Sequence, residues 1–155
     1  MSVAFRRDSD EEHLEPKFEI PIPPGPNLVT ARGLALVRQR VAEFGARLAV
    51  LTDENQIKAA KRDLRYWQTR EITAEPVPVP SGETVAIGTQ VSFLLNGKQR
   101  SLSIVGDDEA DPARGLVSYS APLSRALMGA SPGDFLAFAG KDDALEVLSV
   151  AVIGG

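Results

Sequence analysis

Carboxylates are the residues of this chain best suited to chemistry, and two groups of them stand out. The stretch "IVGDDEADP", Ile104 to Pro112, holds Asp107, Asp108, Glu109 and Asp111. Such a run suggests a metal site, an acid/base cluster or a solvated turn. Magnesium usually takes one or two carboxylates, with phosphate oxygens and water completing its shell. Four acids on one short loop would repel each other. The reading adopted is a polar turn between strands, in which Asp107 and Asp111 bond nearby backbone. The second group is Asp53 and Glu54, within "LTDENQ". Asp53 is placed to cap a helix, Gln56 three residues on completes a capping box, and Glu54 suits the helix dipole. The same two carboxylates could supply oxygen ligands to a metal held mainly by another protein and acting on its water.

Other chemistries lose support. There is no cysteine, which excludes disulfides and zinc–thiolate sites, and the single histidine, His13, lies in a polar stretch. Net charge is −4, against a generally basic nucleic-acid binder. No apolar run approaches membrane-span length, and the acidic N-terminus does not read as a signal peptide. A cytoplasmic protein, not bound to membrane, is expected.

These residues must be positioned by three kinds of segment. Residues 1–29 are rich in proline and poor in large apolar groups, and read as an extended or disordered tail. Residues 30–74 read as a helical hairpin. Thr30 can cap its start, and Leu34, Val37, Val41, Phe44, Leu48 and Leu51 follow at alternating spacings of three and four. The seam resumes with Ile57, Ala60, Leu64 and Trp67. Gly45 faces away from it. Residues 75–83, with Pro76, Pro78 and Pro80, cannot continue a helix and read as a linker.

From residue 84 to 155 the period changes to that of strands. "TVAIGTQVSFLL" and "QRSLSIVG" flank the turn signal "NGK". "LVSYS" is a further strand, and "APLSRALMG" is a short helix with Pro122 in its first turn. Within it Leu123, Leu127 and Met128 read as core. "DFLAFAG" and "ALEVLSVAVI" are the last two strands, joined by "KDDA". The fold class is α+β: an antiparallel coiled-coil hairpin, then an antiparallel sheet with one short helix. Charge divides with the fold. Residues 30–71 carry nine basic and five acidic groups, residues 83–155 five basic and nine acidic. Lys58, Lys61, Arg62 and Arg65 form a basic stripe on the second helix. It is either a solvated face or a nucleic-acid-facing one.

The segments "VAIGTQVSF", "IVGDDEADP", "GLVSYSAPLSRALMGASPGD" and "LEVLSV" resemble the C-terminal domain of the GreA/GreB transcription elongation factors. The resemblance covers most of residues 84–150. It implies an FKBP-like fold and one partner, bacterial RNA polymerase. In that family the C-terminal domain grips the rim of the polymerase secondary channel. The coiled-coil arm enters the channel, and its acidic tip helps hold a magnesium ion that cleaves backtracked RNA. Carried over, this makes Ser120, Pro122 and Arg125 polymerase-binding candidates. Asp53 and Glu54 become tip candidates that share a metal with polymerase, and the basic stripe makes indirect contact with RNA or DNA. Ala121 stands where the family usually has serine.

The resemblance implies a monomer with no catalytic residues or cofactor of its own. The Mg2+ in question would be the polymerase's. The arm is shorter than the family's by several turns, and each missing turn withdraws the tip by about 5.4 Å. Two outcomes are therefore open: stimulated RNA cleavage, or channel occupancy without cleavage, as in Rnk-type regulators. A different class, an FKBP-like prolyl isomerase, would need an apolar pocket lined by aromatics such as Phe93, Tyr119, Phe135 and Phe138.

Overall fold

The computed structural model describes residues 19–153, and in it the helical period of the first half becomes two helices. α1 spans Ala31–Val50 and α2 spans Glu54–Thr73. Thr30 starts α1: its Oγ1 accepts the Gly33 N–H at 3.0 Å and its carbonyl the Leu34 N–H at 2.9 Å. Asp53 starts α2: its Oδ2 accepts the Gln56 N–H at 2.9 Å. Each cap satisfies a donor that the first helical turn leaves without an internal partner. The seam residues Val37, Val41, Phe44, Leu48, Ile57, Ala60, Leu64 and Trp67 are buried or half-buried. Arg38 lies 3.7 Å from Glu71, and the Arg40 guanidinium stands 5.9 Å from the centre of the Trp67 ring. These pairs show α2 returning antiparallel to α1.

The described chain divides into two compact units, one made of 19–25 with Val37–Thr73, the other of Pro26–Leu36 with the residues from Ala74 onward. The first is the arm, the second the body. This corrects the expected tail and linker at one point. Residues Asn27–Val29 form β1, which pairs in parallel with β2, Ala74–Pro76. Asn27 and Val29 are buried, and the Val77 N–H donates to the Val29 carbonyl at 2.9 Å. Both segments were read as extended chain, and what the nearby prolines concealed is that they pair with each other. The tail expected over positions 1–18, with His13, lies outside the described residues.

The body's main sheet contains β3 (Thr89–Leu95), β4 (Lys98–Val105), β5 (Leu116–Ser118), β6 (Phe135–Phe138) and β7 (Lys141–Val152), in the order β5-β4-β3-β7-β6. β3/β4, β3/β7 and β6/β7 are antiparallel, but β4/β5 is parallel. The sheet is therefore mostly antiparallel, as expected, with one parallel pair. The chain leaves β4 through two short 3-10 turns, Asp107–Glu109 and Pro112–Arg114, and so crosses over before β5. A hairpin would have reversed it.

The β3/β4 hairpin turns on Asn96 and Gly97, both at positive φ (51° and 84°), as a two-residue turn requires. β6 and β7 turn on Ala139 and Gly140, not on "KDDA". Lys141 and Asp142 are already in β7, and Asp143 takes a positive φ where the register shifts.

One face of the sheet is covered by α3, Pro122–Leu127. Val91, Phe93, Ile104, Leu127, Leu145 and Val147 make the centre of the core. Met128, expected there, is exposed, because the helix ends before it.

Candidate functional site

In the body, the acidic turn and the β5–α3 connection meet. Ser118 Oγ donates to Asp107 Oδ1 in a short hydrogen bond. Ser120 Oγ lies 3.1 Å from the same carboxylate oxygen and 2.8 Å from Ser118 Oγ, and its single proton can serve one of them at a time. The Ser120 N–H donates to Ser118 Oγ at 3.1 Å. Asp107 thus ties down two hydroxyls across the chain from β4 to β5. Ser120, Pro122 and Arg125 follow as exposed residues on the rim built above it. Pro122 occupies the first turn of α3, where its missing N–H costs nothing. The cap position is Ala121, which makes no side-chain bond to the helix.

The acidic run is the turn between strands that was expected, but it is packed rather than solvated. Glu109 is only 7% exposed. It accepts the Thr30 hydroxyl at 2.6 Å and stands 3.7 Å from Arg32 Nε. Two glycines make room for this packing. A Cβ on Gly33 would come within 2.9 Å of Glu109 Oε1, and one on Gly106 within 2.5 Å of the Leu28 carbonyl oxygen. Tyr119 reaches the residue just before β1, its hydroxyl donating to the Pro26 carbonyl at 2.6 Å. Sequence reasoning took Asp107 as a turn former and missed its hold on Ser118 and Ser120. The available signal was the alternation of serines around Tyr119.

In the arm, Asp53 and Glu54 are exposed at the α1–α2 turn. Asp53 commits Oδ2 to the helix cap, which leaves Oδ1 and the Glu54 carboxylate as oxygen donors. Among the described residues no group of three or more His, Cys, Asp or Glu could hold a metal ion. Lys58, Lys61, Arg62 and Arg65 fall on one face of α2 by their spacing. Lys58, Lys61 and Arg65 are exposed and Arg62 is half-buried. Arg65 is paired with Glu19.

A cleft of about 370 Å3 lies in the body among Thr30, Arg32, Val77, Val79, Ile87 and Val152. None of the aromatics required by the isomerase reading lines it. Phe93 is 1% exposed within the core and Phe135 is 58% exposed to solvent.

The sequence of the body matches a known family, described as "Transcription elongation factor, GreA/GreB, C-term", over residues 80–152. The match covers a little under half of the chain, and within it the body is similar to the C-terminal domain of the GreA/GreB transcription elongation factors. Transcription elongation factor GreA of Helicobacter pylori (strain ATCC 700392 / 26695) is 35% identical over 95 residues, covering 54% of this chain and 58% of that one. GreA of Thioalkalivibrio sulfidiphilus is 33% identical over 104 residues, covering 64% and 63%. The chain therefore spans less than two thirds of the length of these relatives.

Among solved structures, the GreA factor homolog 1 protein of Thermus thermophilus aligns with 81% of this chain and 99% of that one, at 19% identity and a TM-score of 0.38. The GreA/GreB factor from Nitrosomonas europaea aligns with 83% and 99%, at 18% identity and a TM-score of 0.39. The rim formed by Asp107, Ser118, Ser120, Pro122 and Arg125 lies wholly inside the segment that matches the family, residues 80–152.

Proposed function

We propose that this chain is a transcription elongation regulator that docks on bacterial RNA polymerase at the secondary channel. The GreA/GreB domain grips polymerase through the exposed rim of Ser120, Pro122 and Arg125, and the helical hairpin enters the channel. The observation that carries this reading is the Asp107 network, which ties Ser118 and Ser120 together at the start of that rim. Preorganisation of this kind lowers the ordering cost of binding. The factor works as a cytoplasmic monomer without a catalytic centre of its own. No helix among the described residues is long and apolar enough to cross a membrane.

Within this reading, the arm occupies the channel and competes with other factors there, without strong stimulation of RNA cleavage. Two observations favour occupancy. Asp53 spends one carboxylate oxygen on the α2 cap. The 20 residues of α1 span about 30 Å, short for an arm that must bring ligands to within about 2.1 Å of a magnesium ion. When bound at the tip, the polymerase's magnesium would supply Lewis-acid chemistry to the RNA phosphate. Asp53 Oδ1 and the Glu54 carboxylate are the groups that would orient it.

Transcript cleavage in a stalled, backtracked complex tests this. The expected result is no acceleration by the wild-type chain, together with inhibition of a competent cleavage factor. Acceleration that disappears in the double variant Asp53→Ala/Glu54→Ala would replace occupancy with cleavage. A chain that neither accelerates nor competes would overturn the docking itself.

A further inference from the structure

The cleft in the body takes no part in the polymerase reading. None of the rim residues lines it, and it lies wholly within the body unit. Its volume of about 370 Å3 falls within the range of small-ligand pockets, roughly 300–1,000 Å3. One side is the start of α1, with Thr30, Ala31 and Arg32. Another is the chain that follows β2, residues 77–80. Ile87, Val105 and Val152 complete an apolar lining.

Prolines shape the second side. Pro78 and Pro80 have no N–H, and each drives the residue before it, Val77 or Val79, toward extended backbone. The Val77 N–H is spent on the carbonyl of Val29, the last residue of β1. Beyond that point the chain turns into α1, so the two-stranded sheet ends before Val79. Val79 is exposed, and its N–H enters none of the backbone hydrogen bonds among the described residues. At the α1 side stand a donor and an acceptor. Arg32 Nε and Glu109 Oε2 are 3.7 Å apart, beyond hydrogen-bond distance, so each keeps capacity for a third group.

These groups select the ligand. The charges of Arg32 and Glu109 offset each other, so a fatty carboxylate would meet Glu109 and an amine would meet Arg32. No aromatic side chain lines the cleft among the described residues, which removes the stacking surface that nucleobases use. A neutral amide beside a branched apolar group fits: its carbonyl accepts from Arg32, its N–H donates to Glu109, and its side chain displaces water from the apolar lining. We propose that the cleft is a peptide-binding site, which takes an extended apolar segment of a partner protein alongside residues 77–80, with one peptide amide bridging Arg32 and Glu109. In strand addition of this kind, main-chain hydrogen bonds give affinity and the pocket for a side chain gives specificity. This inference stands apart from polymerase docking.

The probe is N-acetyl-leucine N-methylamide, one branched side chain between two amides. Titrated into the isotope-labelled full chain, it should shift the backbone amide NMR signals of Arg32, Val79, Ile87 and Gly88 saturably. The expected Kd is on the order of millimolar, as for about a dozen heavy atoms at ordinary ligand efficiency. N-acetylglycine N-methylamide, which lacks the side chain, and isocaproate, which carries it on a carboxylate, should each bind at least about tenfold more weakly. Arg32→Met, which keeps length and removes the donors, should weaken the probe by at least about tenfold. Val79→Asp, at an exposed position that the fold tolerates, should do the same by placing a charge on the lining. No saturable shift, shifts confined to other residues, or unchanged binding in a variant that circular dichroism shows folded overturns the site. Isocaproate binding as tightly as the amide probe, or N-acetylglycine N-methylamide doing so, overturns the peptide assignment. Polymerase takes no part in these titrations, so this failure and that of the polymerase reading are separable.

Discussion

Replacing Gly106 by alanine adds one methyl group at the point where the acidic turn passes β1. Its backbone, φ −76° and ψ 171°, is ordinary extended chain that alanine adopts freely. The effect is therefore steric alone. The new Cβ would stand 2.5 Å from the Leu28 carbonyl oxygen, whereas ordinary contact begins near 3.4 Å. The two backbones must part by about 0.9 Å, the difference between those values. Both sides are main chain, so no side chain can swing aside. Overpacking of this kind costs about 1–3 kcal/mol, and a backbone neighbour places it in the upper half of that range.

At about 2–4 °C per kcal/mol for a chain of this size, the midpoint should fall by roughly 4–12 °C. The measurement is thermal or urea unfolding followed by circular dichroism. Amide exchange gives a local readout, since the Val77 N–H bonded to the Val29 carbonyl should lose protection first. Gly45→Ala is the control. A Cβ there meets nothing within 4 Å inside α1, so the same change should stabilise by about 0.5–1 kcal/mol. Trp67, the single tryptophan, reports that unit by fluorescence. Stability of Gly106→Ala within about 0.5 kcal/mol of wild type would refute the claim that β1 is packed into the body.

Asp107→Ala removes the acceptor shared by Ser118 and Ser120. One bond is partly buried and one exposed, so urea unfolding should show a loss of about 2–3 kcal/mol, and an unchanged midpoint would mean the hydroxyls are held by something else. Asp53→Ala should cost about 1 kcal/mol of arm stability by loss of the α2 cap, read by Trp67 fluorescence. Asp53→Asn, which keeps a capping oxygen, should be near neutral. The Glu19–Arg65 contact has a pH dependence of defined sign. The folded carboxyl is held below its unfolded value, so the contact is fully present above the ordinary glutamate range and is lost as pH falls through the lowered value. Carboxyl carbon shifts of Glu19 followed against pH should show this midpoint, and Arg65→Gln should return it to the ordinary range.

How much of this was legible in the sequence depends on which signals are local. The seam from Leu34 to Leu51, and again from Ile57 to Trp67, repeats often enough that both helices and their caps could be placed from residue types alone. The Asn96–Gly97 turn was equally legible, because few residues tolerate positive φ at two adjacent positions. Strand direction was not. Alternation in "LVSYS" is the same whether β5 runs with β4 or against it. β1 was hidden because three residues beside a run of prolines carry no period. Lys141 and Asp142 looked like turn residues because charged side chains on the solvent face of a strand match those of a loop. Among four neighbouring acids, nothing local distinguishes Glu109, which is buried against Thr30, from its half-buried neighbours. Only the return of residues 26–36 to the body separates them. The rim at Ser120, Pro122 and Arg125 was proposed from resemblance, and Asp107 as its support became visible only when the crossover brought 107 beside 118.

The central claim, that this rim is the grip on polymerase, is tested most directly by binding. Fluorescently labelled wild-type chain and the variant Ser120→Ala/Arg125→Glu would be titrated with purified bacterial RNA polymerase, after circular dichroism shows both equally folded. Saturable binding by the wild type that weakens at least about tenfold in the variant, or about 1.4 kcal/mol, is the predicted result. Equal affinity for the two would move the grip elsewhere on the molecule, and no saturable binding by the wild type would contradict the account.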